Sequence, residues 1–435
     1  MGWNSWDAYG LTIDEAGYKA NTSVLAELRP FGWEYSVIDE GWYMHDPFAG
    51  TVPARQYVWN QYGLLIPDQG RFPSSAHGAG FKPLAGWVHA RGLKFGIHIV
   101  RGIPRQVVAA NLPIEGTSFH AREAADETSP CPWDHGNWGV KDNAAGQAYY
   151  DSMLKLYAAW GVDYIKVDCI SARPYRPTEI RQIAEAIRKT GRPMVLSLSP
   201  GPTALQDAEE VARYAQLWRI ADDHWDGWTF KHEPGAGEFP FGLKDEFDRI
   251  AAWSRYTRPG AWPDPDMLPE GRLAPHPGWG QPRQSNYTPD EQRTEFTLWA
   301  ISRAPLILGA NLAKLDTYTR SMLTNKALLA VNQHAAFSHP LEHLPANFGR
   351  TRVWEAGAAT TPCAPRTYAF FNLDDKPSTL TFAWNDLDAS PGGACRIERV
   401  RNLWDGSSLD ASGPAQIALP PHGSAVFSLS MAEAR

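Results

Sequence analysis

Short β-forming runs alternate with amphipathic helical stretches through the first three quarters of the chain, and this alternation restricts the fold more than any other feature. The strand candidates are MGWNSW at the start, YSVIDE at 35–40, KFGIHIV at 94–100, DYIKVD at 163–168 and PMVLSLS at 193–199. LWRIAD at 217–222, AWPDPDML at 261–268 and LILGAN at 306–311 complete a set of eight. Between them lie helical stretches such as AGQAYYDSMLKLYAAWG and TEIRQIAEAIRKTG, and Gly92, Gly161 and Gly191 stand where a helix C-cap needs a residue tolerant of positive φ. Eight strands with intervening helices is the arithmetic of a (β/α)8 barrel; an open doubly wound sheet shares the alternation.

After about residue 335 the helical period stops. RTYAFFNLDD, STLTFAWNDL, CRIERVRNLWDG and SAVFSLS alternate as antiparallel strands do. The reading is therefore an α/β chain: a (β/α)8 TIM barrel over 1–330, then an antiparallel β-sandwich over 335–435. A length of 435 residues, more than one core usually organises, agrees with two domains. The inserts at 43–80 and 101–143 follow the second and third strands, where barrel loops build the substrate side.

A net charge of −7 over this length leaves no basic footprint for nucleic acid, and no apolar run approaches a membrane span. The 19 tryptophans, many beside Asp, Gly or Asn, hint at stacking on sugar faces, although indole is also a large core side chain. Four cysteines, Cys131, Cys169, Cys363 and Cys395, are compatible with an oxidising compartment without demanding it. No signal peptide is visible before MGWNSW; a secreted or periplasmic location is the expectation, with the cytoplasm still open.

A barrel carries its active site at the C-terminal strand ends. Those ends here offer Trp6, Asp39 with Glu40, His98, Lys166 with Asp168, Ser199, Arg219 with Asp222 and Asp223, and Asp264 with Asp266. One such Asp would read as an ordinary helix N-cap, but four together need four coincidences. A sugar, with hydroxyls on every side, gives such carboxylates something to bind. Glycoside hydrolysis needs two carboxyls, one ionised and one protonated. Lys166 lies two residues before Asp168, on the same strand face, and would keep that carboxylate ionised. Arg219 lies four residues before Asp223; on adjacency alone Asp222 competes for the acid role.

MGWNSW, the IDEGW at 38–42, DYIKVD, WRIADDHWDGW at 218–228 and DPDM at 264–267 together resemble glycoside hydrolase family 27, the α-galactosidases and α-N-acetylgalactosaminidases. The resemblance runs in order through the whole barrel and implies retaining hydrolysis through a covalent glycosyl-enzyme. By that resemblance Asp168 is the nucleophile and Asp223, rather than Asp222, the acid/base. Trp6 is the aromatic floor, Asp39 and Glu40 bind the hydroxyls at C4 and C6, and Lys166, Arg219 and Asp266 are sugar-pocket residues. No cofactor and no metal is implied, and the partner is a carbohydrate.

Five departures bear on the sugar and the scaffold. His98 replaces the usual Tyr, Glu40 replaces an Asp, and Ser199 stands where a bulkier or acidic group faces the 2-hydroxyl. Gly41 stands where many members have Cys. Cys169 follows the nucleophile one position early, so a Cys131–Cys169 disulfide and free thiols both stand. Arg101 in RGIPR reads either as a side chain filling the space beside Ser199 or as a solvated loop arginine. The leading expectation is an exo-acting α-galactosidase. α-N-Acetylgalactosaminidase, β-L-arabinopyranosidase and isomalto-dextranase-type activities follow: the small Ser199 leaves room for a 2-substituent, and Glu40 would crowd the hydroxymethyl that arabinopyranose lacks. A sugar-binding protein without catalysis is the rival of a different class. By the resemblance the C-terminal domain is a structural cap on the barrel, with a carbohydrate-binding module the alternative, for which Trp384 and Trp404 would be the stacking residues.

Overall fold

Each of the eight anticipated runs contains a strand: β1 (Gly2–Asn4), β2 (Tyr35–Ile38), β3 (Lys94–Val100), β4 (Tyr164–Asp168), β5 (Val195–Leu198), β6 (Leu217–Arg219), β7 (Trp262–Asp264) and β8 (Ile307–Leu308). The computed structural model describes residues 1–47, 56–232, 238–274, 281–361, 363–387 and 395–433. Two compact units make up the chain. The first comprises Met1–Asp223, Gly271–Ser285 and Ile307–Leu315, and the second His224–Glu270, Asn286–Leu306 and Asp316–Arg435.

In the first unit seven strands are hydrogen-bonded neighbours in the order β6-β5-β4-β3-β2-β1-β8, all parallel. Parallel strands are covered on both faces and so read as continuous apolar runs: β3 is buried from Phe95 to Val100. The register sets His98 beside Lys166 and Val100 beside Asp168, which brings the polar residues of β3 and β4 to one level. Helices return the chain between strands. Ala144–Trp160 begins at Asn143, whose side chain accepts from the Gly146 amide, and ends on Gly161 at φ 91°. Pro177–Thr190 carries its proline in the first turn and ends on Gly191 at φ 71°.

Tryptophan largely supplies cores rather than a sugar surface. Trp42 packs edge-on to Tyr43, Tyr157 and Trp160, and Trp3, Trp33 and Trp218 are fully buried.

The second unit carries antiparallel strands β9 (Phe337–Pro340), β10 (Arg352–Gly357), β11 (Arg366–Phe371), β12 (Ser378–Phe382), β13 (Cys395–Asn402), β14 (Ser408–Leu409), β15 (Ala415–Leu419) and β16 (Ser424–Glu433). Six form one sheet, β9-β10-β11-β16-β13-β14, and β12 pairs with β15. Residues along β15 alternate strictly between buried and exposed, the pattern of a sheet with one face on a core. That core gathers Val353, Tyr368, Phe370, Leu380, Phe382 and Trp384. Trp384 is thus a core residue, and the Trp404 indole donates to Thr297 Oγ1 at 3.1 Å beneath the Arg293 guanidinium. Trp384 therefore offers no exposed stacking face, while Trp404 is half-buried. The fold is a (β/α)8 barrel followed by an antiparallel β-sandwich.

Both cysteine pairs are disulfides, Cys131–Cys169 with Cα atoms 5.9 Å apart and Cys363–Cys395 with 5.5 Å.

Candidate active site

Within the first unit, the strand ends assemble a chain of charge-assisted contacts around Asp39. Its Oδ2 accepts from Lys166 Nζ at 2.9 Å and from Asn4 Nδ2 at 2.6 Å, and its Oδ1 accepts from the Glu40 amide at 2.8 Å. The Asp39 amide donates to Ser5 Oγ at 2.9 Å. Burial pushes this carboxyl up, but Lys166, His98 and the Glu40 amide outweigh it and hold Asp39 far below the usual carboxylate range. The backbone at 40–41 is fixed too, since Arg71 Nη1 donates to Gly41 O at 2.5 Å. Gly41 has φ 96°, and a Cβ there would meet Leu11 O at 2.6 Å, which explains the glycine. Asn4, Ser5 and Arg71 escaped the sequence reading; Asn4 and Ser5 stood in plain view in MGWNSW, at the end of β1.

Asp168 closes β4. Its Oδ1 accepts from the Cys169 amide at 2.7 Å, and its Oδ2 lies 3.3 Å from His98 Nε2. Burial raises this carboxyl, yet the His98 contact, Lys166 and the Cys169 amide together leave its pKa lowered. His98 is wholly buried, and among the described residues its Nδ1 has no hydrogen-bond partner.

Asp223 has the opposite environment. Loss of surrounding water raises its pKa, and the charges of Asp168 and Asp222 add to that, against Arg219 and Lys166. Arg219 Nη1 donates to Asp223 Oδ1 at 3.2 Å, while its Nη2 holds the Asp222 carbonyl at 2.6 Å. Asp222, the adjacent competitor, is occupied: Arg173 grips it with two bonds of 2.7 and 2.9 Å. The Asp222 side chain is 5% exposed and the Asp223 side chain 39%, so only the latter has an open approach. Sequence adjacency could not separate the two, because Arg173 lies 49 residues upstream.

Trp6 is partly exposed at the start of a short helix, its amide bonded to Asn4 Oδ1 at 2.8 Å. Glu40 is partly exposed and Ser199 is buried at the end of β5. Asp266 belongs to the second unit, where its carboxylate accepts from the amides of His224 and Met267 at 3.0 and 2.8 Å. At φ 104° it holds a backbone conformation that L residues rarely adopt. Arg101 is not a solvated loop arginine, for it is 1% exposed and bonded to backbone and to Glu179. Among the described residues no group of acidic, His or Cys side chains could hold a metal ion, and no helix is long and apolar enough to cross a membrane.

One ionised and one protonated carboxyl, beside buried donors and acceptors, can cleave an acetal without further equipment. Residues 133–334 match the family model described as alpha galactosidase A, and residues 365–429 match the alpha galactosidase C-terminal beta sandwich domain. Alpha-galactosidase A of Cellvibrio japonicus (strain Ueda107) is 27% identical, covering 99% of this chain and 91% of that protein. An alpha-galactosidase of Oryza sativa subsp. japonica is 24% identical, covering 99% and 84%. A solved family 27 β-L-arabinopyranosidase from Geobacillus stearothermophilus is 40% identical, covering 99% of this chain and 95% of that one, with a TM-score of 0.87. The chain is an α-galactosidase-like glycoside hydrolase, and it belongs to glycoside hydrolase family 27.

Proposed function

We propose that the chain is a retaining exo-glycosidase in which Asp168 attacks the anomeric carbon and Asp223 donates a proton to the departing oxygen. Water then attacks the glycosyl-Asp168 ester while Asp223 takes back a proton, and the sugar leaves with its configuration retained. The observation that carries this reading is the opposed surroundings of two strand-end carboxyls: His98 Nε2 at 3.3 Å and the Cys169 amide at 2.7 Å help lower the pKa of Asp168, whereas loss of water and the charges of Asp168 and Asp222 raise that of Asp223. Asp39 with Lys166, and Trp6, Glu40, His98, Ser199 and Arg219, make the sugar pocket in this reading.

The glycone we favour is β-L-arabinopyranose. Its ring matches α-D-galactose but lacks the hydroxymethyl at C5, and Glu40 is one methylene longer than the Asp expected there. A β-L-arabinopyranosidase at 40% identity supports the same choice. Terminal α-galactose is the second reading, favoured by alpha-galactosidases that match 99% of the chain. Comparing kcat/KM on p-nitrophenyl β-L-arabinopyranoside and p-nitrophenyl α-D-galactopyranoside decides between them. Preference for the galactoside would reverse the choice, and cleavage of neither would leave only the family. Two disulfides fit a secreted or periplasmic enzyme.

A further inference from the structure

Arg101 is among the largest fully buried side chains of the protein, and a buried guanidinium is costly unless every donor is used. Its Nε donates to Cys169 O at 2.7 Å, and its Nη2 donates to Ser129 O at 3.2 Å and Pro130 O at 3.4 Å. Cys169 and Cys131 are joined by the disulfide, so one guanidinium ties carbonyls on both arms of that bridge. Its Nη1 donates to Glu179 Oε1 at 2.7 Å, and the other oxygen of Glu179 accepts from Tyr150 at 2.6 Å. Tyr150 in turn accepts from the Gly102 amide at 3.1 Å. The Arg101 amide itself donates to Asp168 O at 3.1 Å.

Those ties converge on one peptide. Cys169 sits at φ 63°, a left-handed conformation that a non-glycine residue keeps only when its surroundings impose it. In that conformation its amide reaches Asp168 Oδ1 at 2.7 Å. We propose that Arg101 is a positioning residue for Asp168: by clamping both arms of the Cys131–Cys169 bridge it fixes the Cys169 peptide so that its amide is aimed at the Asp168 carboxylate. The inference rests on the reading of Asp168 as nucleophile and adds how that carboxylate is oriented and kept ionised. The titratable groups facing Asp168 are His98 from β3, Lys166 from its own strand and Asp223 beyond β6. Arg101 touches none of these through its side chain in the contacts described above, so a change there reaches Asp168 through the peptide.

The test is Arg101→Lys, which keeps the charge and loses the planar fork. With the thermal midpoint retained, the acid limb of kcat/KM should move up by roughly half to one pH unit, and kcat should fall about tenfold with KM within about twofold. A folded Arg101→Lys enzyme with the wild-type acid limb and kcat overturns the proposal. Should that variant fail to fold, Tyr150→Phe loosens Glu179 and Gly102 more gently; a smaller shift in the same direction supports the clamp, and a wild-type profile refutes it. Asp168→Ala with added azide keeps the two readings apart. If azide restores turnover and yields a glycosyl azide of inverted configuration, the nucleophile stands whatever Arg101 does. If it does not, the nucleophile assignment itself fails.

Discussion

Replacing Glu40 by Asp should turn the enzyme toward galactosides, and the structure allows the size of the effect to be worked out. The backbone at this position does not depend on the Glu40 side chain. Its amide is held by Asp39 Oδ1 at 2.8 Å, Asp39 is held by Asn4 and Lys166, and the neighbouring Gly41 carbonyl by Arg71. Glu40→Asp therefore retracts a carboxylate by one carbon–carbon bond, about 1.5 Å, and leaves these backbone contacts in place. The space released is that of one methylene, close to what the hydroxymethyl carbon of galactose needs. One methylene in a fitted pocket is worth about 1–3 kcal/mol of transition-state discrimination, so the ratio of kcat/KM for galactoside over arabinopyranoside should rise by roughly 10- to 200-fold. The assay is the same pair of p-nitrophenyl glycosides, run on both proteins with thermal midpoints as a control. A ratio that moves less than about threefold in a folded variant would show that Glu40 does not police the hydroxymethyl, and the sugar assignment would lose its physical basis.

The kcat/KM profile should be bell-shaped: activity falls as pH drops through the lowered pKa of Asp168, and falls again as pH rises through the raised pKa of Asp223. Asp223→Asn should abolish the alkaline limb and keep the acid one; persistence of both limbs would assign the acid elsewhere. Asp223→Ala should cost roughly 10²- to 10⁴-fold on an unactivated disaccharide and much less on an aryl glycoside with a good leaving group. Equal losses on the two would contradict general-acid catalysis. In the second unit, burial pushes Glu270 up to about 8, against a hydrogen bond from Glu295 that lowers it. Its folded pKa lies above the unfolded value of about 4.3, so the folded state holds a proton that the unfolded chain has released, and stability should decline as pH rises between these values and level off above. Urea midpoints from pH 5 to 9 should show this decline, shallower in Glu270→Gln; an unchanged slope would exonerate Glu270.

The barrel was legible because buried parallel strands are largely apolar, as KFGIHIV is from Phe95 to Val100, and DYIKVD runs out in the polar Asp168. The carboxylate cluster was legible for the same reason: strand ends are fixed points in such a fold. What stayed hidden depends on partners far away in sequence. Arg101 reads as a loop arginine because nothing near it in the chain announces Glu179, 78 residues on. Asp222 is held by Arg173, another loop arginine, and Asp223 is the more exposed of the two. Trp384 looked like a platform because its neighbours are polar, yet it fills a core. Side-chain polarity next door does not say which way an indole points.

Shared partners decide which properties of this site can change separately. Lys166 and His98 both act on Asp39, which the family resemblance assigns to the sugar, and on Asp168, which it assigns to the chemistry. A substitution at either would weaken sugar binding and raise the nucleophile's pKa together, so selection for a new sugar through those positions would carry a catalytic penalty. Glu40 enters the same network through its backbone amide, a contact that any L residue can make. A shorter acidic side chain at position 40 keeps that amide contact with Asp39. On this reasoning position 40 is where a family 27 barrel can trade one glycone for another at least cost to its nucleophile, and the methylene that distinguishes Glu from Asp is the smallest such change.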